Sequence, residues 1–248
     1  MLRSSLARAL SDPALEGMAG LLEEATSYDA DVYRVLQRRL RGEEPGDYLA
    51  EGAETVARAS RLAEFVLMPL VRDLVRRLRP ARVLDVGCGS GIYLKAVVEA
   101  DAAVTAVGID IEPNVVEAAR RNLDGWGIAH RTTVSRADLR ELPAELQREW
   151  DLVLLFQNIY YFRPGDRPDV LAGLRRLAPE GTAAVATAVA GGNDPLAAHL
   201  DIVLRSTKGN FPLPTPAELR DAFKTAGFSE VAERRLAPGQ PIRAFIAR

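Results

Sequence analysis

Arg82-Val83-Leu84-Asp85-Val86-Gly87-Cys88-Gly89-Ser90-Gly91-Ile92-Tyr93-Leu94 is the stretch that decides the fold. Val83 to Val86 is a short β-rich run of the kind that forms a buried parallel strand. Glycines at 87, 89 and 91 follow at once, and a helical pattern opens at Ile92. Strand, tight glycine turn and helix N-terminus make a cradle for a nucleotide-like ligand, because the backbone can approach without Cβ clashes and the helix end offers unpaired N–H groups. A dinucleotide fingerprint G-x-G-x-x-G wants its third glycine at position 92, where Ile92 stands. No G-x-x-x-x-G-K-[ST] run occurs anywhere in the chain. Asp85, directly before the loop, would repel a pyrophosphate and suits a ligand with positive charge.

Downstream of this stretch strand and helix patterns alternate, which implies a parallel sheet between two layers of helices. The expected strands are 81–86, 103–109, 131–135, 151–156 and 183–189, with helices opening near Gly91, Pro113 and Pro168. The nearly continuous apolar run to Phe156 marks a central strand. Residues 190–214 interrupt the pattern as an insert that carries a helix. Pro216 starts another helix, Gly227 closes it, and strands at 229–236 and 241–247 form a hairpin, so the seventh strand enters antiparallel. Upstream, residues 1–79 read as helical throughout. A helix starts at Asp12-Pro13, Val32, Val35, Leu36 and Leu40 form a stripe closed by Gly42, and a loop spans 42–46. A second stripe from Val56 to Leu78 is kinked or split by Pro69. The expected fold is α/β: a doubly wound, seven-stranded, mostly parallel sheet in residues 80–248 with an N-terminal helical cap in residues 1–79.

Composition sets the class of protein. With 48% apolar and 27% charged residues in 248, the chain can bury a sizeable core and reads as soluble and globular. A formal net charge of −2 argues against a nucleic-acid partner held by phosphate contacts. The single cysteine, Cys88, precludes an internal disulfide and fits the reducing cytoplasm. No run approaches the roughly 20 apolar residues that span a bilayer, so no membrane partner is expected. Met1 to Leu10 lacks the apolar core of a secretory signal and reads as a first helix. His130, His199 and Cys88 show no metal-site spacing.

The motif D-V-G-C-G-S-G at 85–91 resembles the first motif of the class I S-adenosylmethionine-dependent methyltransferases, whose donor carries a sulfonium and an ammonium. The resemblance covers roughly residues 80–248 and leaves the helical cap unmatched. It implies S-adenosylmethionine as cofactor and methyl transfer to a small-molecule or peptide acceptor, of the natural-product tailoring type. A non-catalytic module that binds the same donor is the rival from another class. A dinucleotide-dependent oxidoreductase is disfavoured by Ile92 and Asp85. In such a fold the ligand lies beyond the carboxyl ends of the strands. The resemblance then places Asp85, Gly87, Cys88, Gly89 and Gly91 in the donor loop, and Asp110 with Ile111 at the ribose hydroxyls. Ala137, Asp138 and Leu139 fall at the adenine, and Phe156 and Gln157 where the chain passes the methyl group. Asp138 also reads as an ordinary turn aspartate, and Cys88 as a small packing residue with no base to make it a nucleophile.

On the acceptor side the sequence departs from two subfamilies. Members that methylate exocyclic amines of nucleic-acid bases have an Asn/Asp-Pro-Pro-aromatic motif after the fourth strand, and this chain has no Pro-Pro there. Catechol-type members place acidic metal ligands at that strand end, where Gln157 and Asn158 stand. Tyr160 and His199 are the candidate catalytic residues, since a hydroxyl or carbon acceptor needs a base. Tyr28, Tyr33, Tyr161 and Arg205 are candidates to line the acceptor, Arg205 by holding a carboxylate. The apolar stripes of residues 1–79 must be buried somewhere. Packing over the strand ends makes them a lid, and homodimerisation through them is the alternative.

Overall fold

The structure is a computed structural model that describes residues 12, 16–47, 49–237 and 241–248, without the side chains of 28, 49–58 and 60. The first helix expected over 1–10, the Pro13 helix start, and the side chains of Tyr28 and Val56 lie outside the described residues. Among the described residues three helices come first: α1 (Glu16–Thr26), α2 (Tyr28–Leu40) and α3 (Leu49–Leu78). The alternating core follows as β1 (Arg82–Val86), α4 (Ile92–Ala100), β2 (Thr105–Asp110), α5 (Pro113–Gly125), β3 (Thr132–Arg136), β4 (Leu152–Phe156), α6 (Arg167–Leu177) and β5 (Thr182–Ala188). The chain ends in α7 (Pro195–Ser206), α8 (Pro216–Thr225), β6 (Val231–Arg235) and β7 (Ile242–Ala247). Among the described residues the expected strands and helices of the core are present, their ends shifted by one or two residues.

The seven strands form one sheet in the order β3-β2-β1-β4-β5-β7-β6. β1 to β5 run parallel, and β7 pairs antiparallel with both β5 and β6. The antiparallel strand is therefore second from the edge. Strand alternation sorts the side chains to two faces. Val83, Leu152, Leu154 and Ala184 join α4 and α5 on one face, while Leu84, Val153, Leu155 and Val185 join α6 and α8 on the other. All residues of β4 and β5 are buried, as a two-sided parallel sheet requires.

Two features of the helical region go beyond what the sequence indicates. Pro69 does not split its helix, which runs unbroken for 30 residues. Leu67, Leu70, Val71, Leu74 and Val75, on either side of the proline's exposed position, pack into the same cluster as β1 and α4, and that burial holds the helix together. The C-terminal half of α3 is thus a layer of the core. The second feature is the loop at 42–46, which pairs with the insert. Gly46 N donates to Ser206 O at 3.0 Å, and Lys208 N donates to Gly46 O at 2.8 Å. Among the described residues no helix is long and apolar enough to cross a membrane.

Candidate active site

The parallel strands deliver Val86, Asp110, Arg136, Phe156 and Ala188 to one edge of the sheet, and the site is built there. Gly87 and Cys88 turn the chain off β1 by donating their N–H groups to Ile109 O at 2.8 and 2.9 Å. Gly87 has φ +69°, and a Cβ on it would stand 2.5 Å from the Asn158 amide. Only glycine fits there. Asn158 Nδ2 donates to Phe156 O at 2.6 Å, Gly87 O at 3.2 Å and Val86 O at 3.3 Å, so it ties the ends of β1 and β4 together. Cys88 is 3% exposed, and its Sγ lies where a Cβ on Gly108 would be, at 2.7 Å. Burial pushes its thiol far up, so Cys88 is a packing residue. A Cβ on Gly89, by contrast, would meet nothing within 4 Å, so the loop opens onto free space.

Asp85 is 1% exposed, and neither carboxylate oxygen has a hydrogen-bond partner. Burial, with the Asp110 carboxylate nearby, pushes it up to about 7. An orphaned buried carboxylate beneath an open glycine loop fits a ligand that brings a cation. Asp110 accepts from Gly89 N at 3.2 Å through Oδ2 and from Glu112 N at 3.1 Å through Oδ1, which leaves each oxygen a lone pair for a hydroxyl. Ile111 beside it is 55% exposed, an apolar surface at the cleft's edge. Ala137 and Leu139 lean on the second core cluster. Asp138 is held by its own turn, since Arg140 N donates to Oδ1 at 2.9 Å and the Arg140 guanidinium grips both oxygens. Those contacts hold its carboxyl below the usual range.

At the end of β4, Phe156 is buried, edge-on to Tyr93 at 5.3 Å. Gln157 sits at φ +54°, a strained value for a side chain with a Cβ, and its Oε1 accepts from Ala188 N at 3.1 Å. It braces the turn with that oxygen, which sequence alone did not suggest. Tyr160 and Tyr161 follow with ring centroids 4.9 Å apart. Tyr160 is half-buried among Leu200, Leu204 and Leu213 of the insert, and Phe211 N donates to its carbonyl at 2.8 Å. Tyr161 is 44% exposed. Burial raises the Tyr160 phenol well above its ordinary range, so it stays protonated near neutral pH. Arg205 spends its guanidinium on Asp201 of its own helix, at 2.7 Å. His199 and Tyr33 meet: His199 Nδ1 is 2.9 Å from Tyr33 Oη, and His199 Nε2 is 2.9 Å from Asp29 Oδ2. The hydrogen bond that His199 donates to Asp29 raises its pKa, against its partial burial. The sequence singled out neither Asn158 nor Asp29 for a role, because their partners are 71 and 170 residues away.

Comparison with known proteins agrees with this geometry. Residues 83–181 match the family model of a methyltransferase domain. The solved mitomycin 7-O-methyltransferase superposes with a TM-score of 0.80 over 99% of this chain and 76% of its own, at 19% identity. An O-methyltransferase family protein from Burkholderia thailandensis gives 0.76 over 94% and 71%, at 20% identity. Human N-acetylserotonin methyltransferase, solved with S-adenosylmethionine, gives 0.73 over 92% and 69%, at 15% identity. Among curated relatives, ribosomal protein L11 methyltransferase of Haemophilus influenzae is 39% identical over 72 residues, and that of Yersinia pseudotuberculosis 37% over 98. Those matches span 29% and 39% of this chain and only 23% and 27% of the relatives. The fold is that of the class I S-adenosylmethionine-dependent methyltransferases. The match to the methyltransferase-domain model covers β1 to β4 and the helices between them, residues 83–181.

Proposed function

We propose that the chain transfers a methyl group from S-adenosylmethionine to a small-molecule acceptor bound between the strand ends and the helical cap. The observation that carries the reading is Asp85, a buried carboxylate without a partner, set under a glycine loop that faces open space. Asp85 takes the donor's ammonium, the loop from Gly87 to Gly91 lies along its amino-acid end, and Asp110 accepts from the ribose hydroxyls. Ile111 and Leu139 supply apolar surface to the adenine. When bound, the donor supplies a methyl group already activated on a sulfonium. Alignment is then the protein's main task, and it can account for about 7–11 kcal/mol of a barrier. Tyr160 and the insert close one wall, and α1 and α2 of the cap face the sheet across the acceptor. Structural similarity to small-molecule methyltransferases supports that acceptor class over a peptide. The single cysteine, free and buried, fits a reducing cytoplasmic setting.

Calorimetric titration with S-adenosylmethionine, its demethylated product and a nicotinamide dinucleotide tests the donor. Binding of the dinucleotide alone would overturn the reading. Labelled donor with panels of phenols and amines then tests transfer, and tight donor binding without transfer to any of them favours the non-catalytic module.

A further inference from the structure

Asp29, His199 and Tyr33 form a chain of hydrogen bonds between the cap and the insert. Asp29 and Tyr33 lie one turn apart on α2, while His199 comes from α7. Asp29 is 4% exposed, and its Oδ2 engages His199 Nε2 at 2.9 Å. The other ring nitrogen engages Tyr33 Oη at 2.9 Å, and the two rings lie nearly parallel with centroids 5.6 Å apart. Both nitrogens of His199 are therefore occupied, so the imidazole has no free atom with which to take a proton from an acceptor. The open end of the chain is Tyr33, which is 43% exposed. Val32 and Val203 pack between the same two helices and hold the register.

We propose that Tyr33 is a phenol activated through His199 and Asp29, and that it is the base toward a hydroxyl-bearing acceptor. The proposal rests on the methyl-transfer reading and narrows its substrate class. An amine needs little help to lose a proton after transfer, whereas a hydroxyl needs a base as its oxygen attacks. In the step, the acceptor's proton passes to Tyr33 Oη while the Tyr33 proton moves to His199 Nδ1. The acceptor oxygen bonds to the methyl carbon, and the carbon–sulfur bond breaks with its electron pair left on sulfur. His199 becomes an imidazolium held by Asp29, and its proton returns to water. Asp29 and His199 are positioning residues, since they act through Tyr33. Asp29 favours the protonated imidazole. The nearby Glu24, raised to about 7 by burial and by Asp29, also favours the protonated imidazole where it is ionised.

The test needs neither donor nor acceptor. N-acetylimidazole is reacted with the full chain and acetyl-tyrosines are mapped by mass spectrometry. A phenol oxygen attacks the acetyl carbon, imidazole leaves, and the phenol proton goes to His199 at Tyr33. Tyr161, at 44% exposure, is the internal reference. Tyr33 is expected to react faster than Tyr161, and His199→Gln and Asp29→Asn each to lower its rate by roughly tenfold or more while Tyr161 is unmoved. A Tyr33 no faster than Tyr161, or one indifferent to both substitutions, overturns the proposal and leaves the contact as a clasp. If His199→Gln does not fold, the wild-type ratio and Asp29→Asn still decide. Donor titration on the same preparation reports separately on the methyl-transfer reading. For any phenol that the labelled-donor assay turns over, Tyr33→Phe lowers kcat and leaves donor affinity in place.

Discussion

Asp85 and Asp110 share one end of the cleft and are asked to do different things. Asp85 without a cation is an unpaired buried charge, so in the free protein it holds its proton up to about pH 7. The folded state then binds that proton more tightly than the unfolded state between 3.8 and about 7, and the stability this confers is lost as pH rises through that window. Donor binding has the opposite sign, because an ammonium needs the carboxylate ionised. Donor affinity is expected to fall about tenfold per unit as pH drops below 7, with proton release seen in calorimetry. Asp85→Asn should weaken the donor and raise the melting temperature of the free protein at pH 8, since a buried neutral amide costs less than a buried charge. A lowered melting temperature would show that Asp85 has a partner in solution. Asp110→Ala is expected to weaken donor binding by about 1.5–3 kcal/mol, as charged hydrogen bonds are lost, with little change in folding. The strand-end positions of both carboxylates were legible in the sequence, since each closes a β-rich run next to a turn or helix signal.

The elements that hold the loop were less legible. Asn158 sits after β4 and reads as an ordinary polar residue, yet it bonds three carbonyls across two strand ends. A sequence shows what a side chain can donate and not which carbonyl lies beside it. Asn158→Ala leaves those carbonyls unpaired and opens the space in front of Gly87. The expected cost is about 1–3 kcal/mol of stability by denaturant titration, with weakened donor affinity. Equal donor affinity in the folded variant would mean that the glycine loop needs no brace. Likewise, periodicity found the apolar stripe of α3 correctly, but it could not tell a core layer from a lid. Leu67 to Val75 pack under the sheet, whereas α1 and α2 lie outside those clusters.

At the scale of the whole molecule, the described residues fasten the cap to the insert through the Asp29–His199–Tyr33 chain with Val32 packed on Val203 beside it, and through the paired backbone of Gly46 with Ser206 and Lys208. Deleting residues 1–45 removes the first attachment and keeps the core half of α3. Donor affinity is expected to stay within about threefold of wild type, since that deletion touches no donor group, while turnover falls by 10²-fold or more as water enters and the base is lost, a size typical of such groups. Circular dichroism checks the fold, and calorimetry and labelled-donor assay read the two quantities apart. Full turnover in the truncated protein would make these helices a dimerisation surface.

Cys88 has one further consequence. It is the chain's single thiol, a member of the glycine loop buried at 3% exposure against Gly108. A maleimide or disulfide reagent can reach it only when the loop lifts, so its labelling rate is a clock for the opening of that one turn. No engineered reporter is required. Ligands that seat on the loop slow the clock, ligands that bind elsewhere leave it running, and the ratio of the two rates gives the occupancy of the donor cleft in solution.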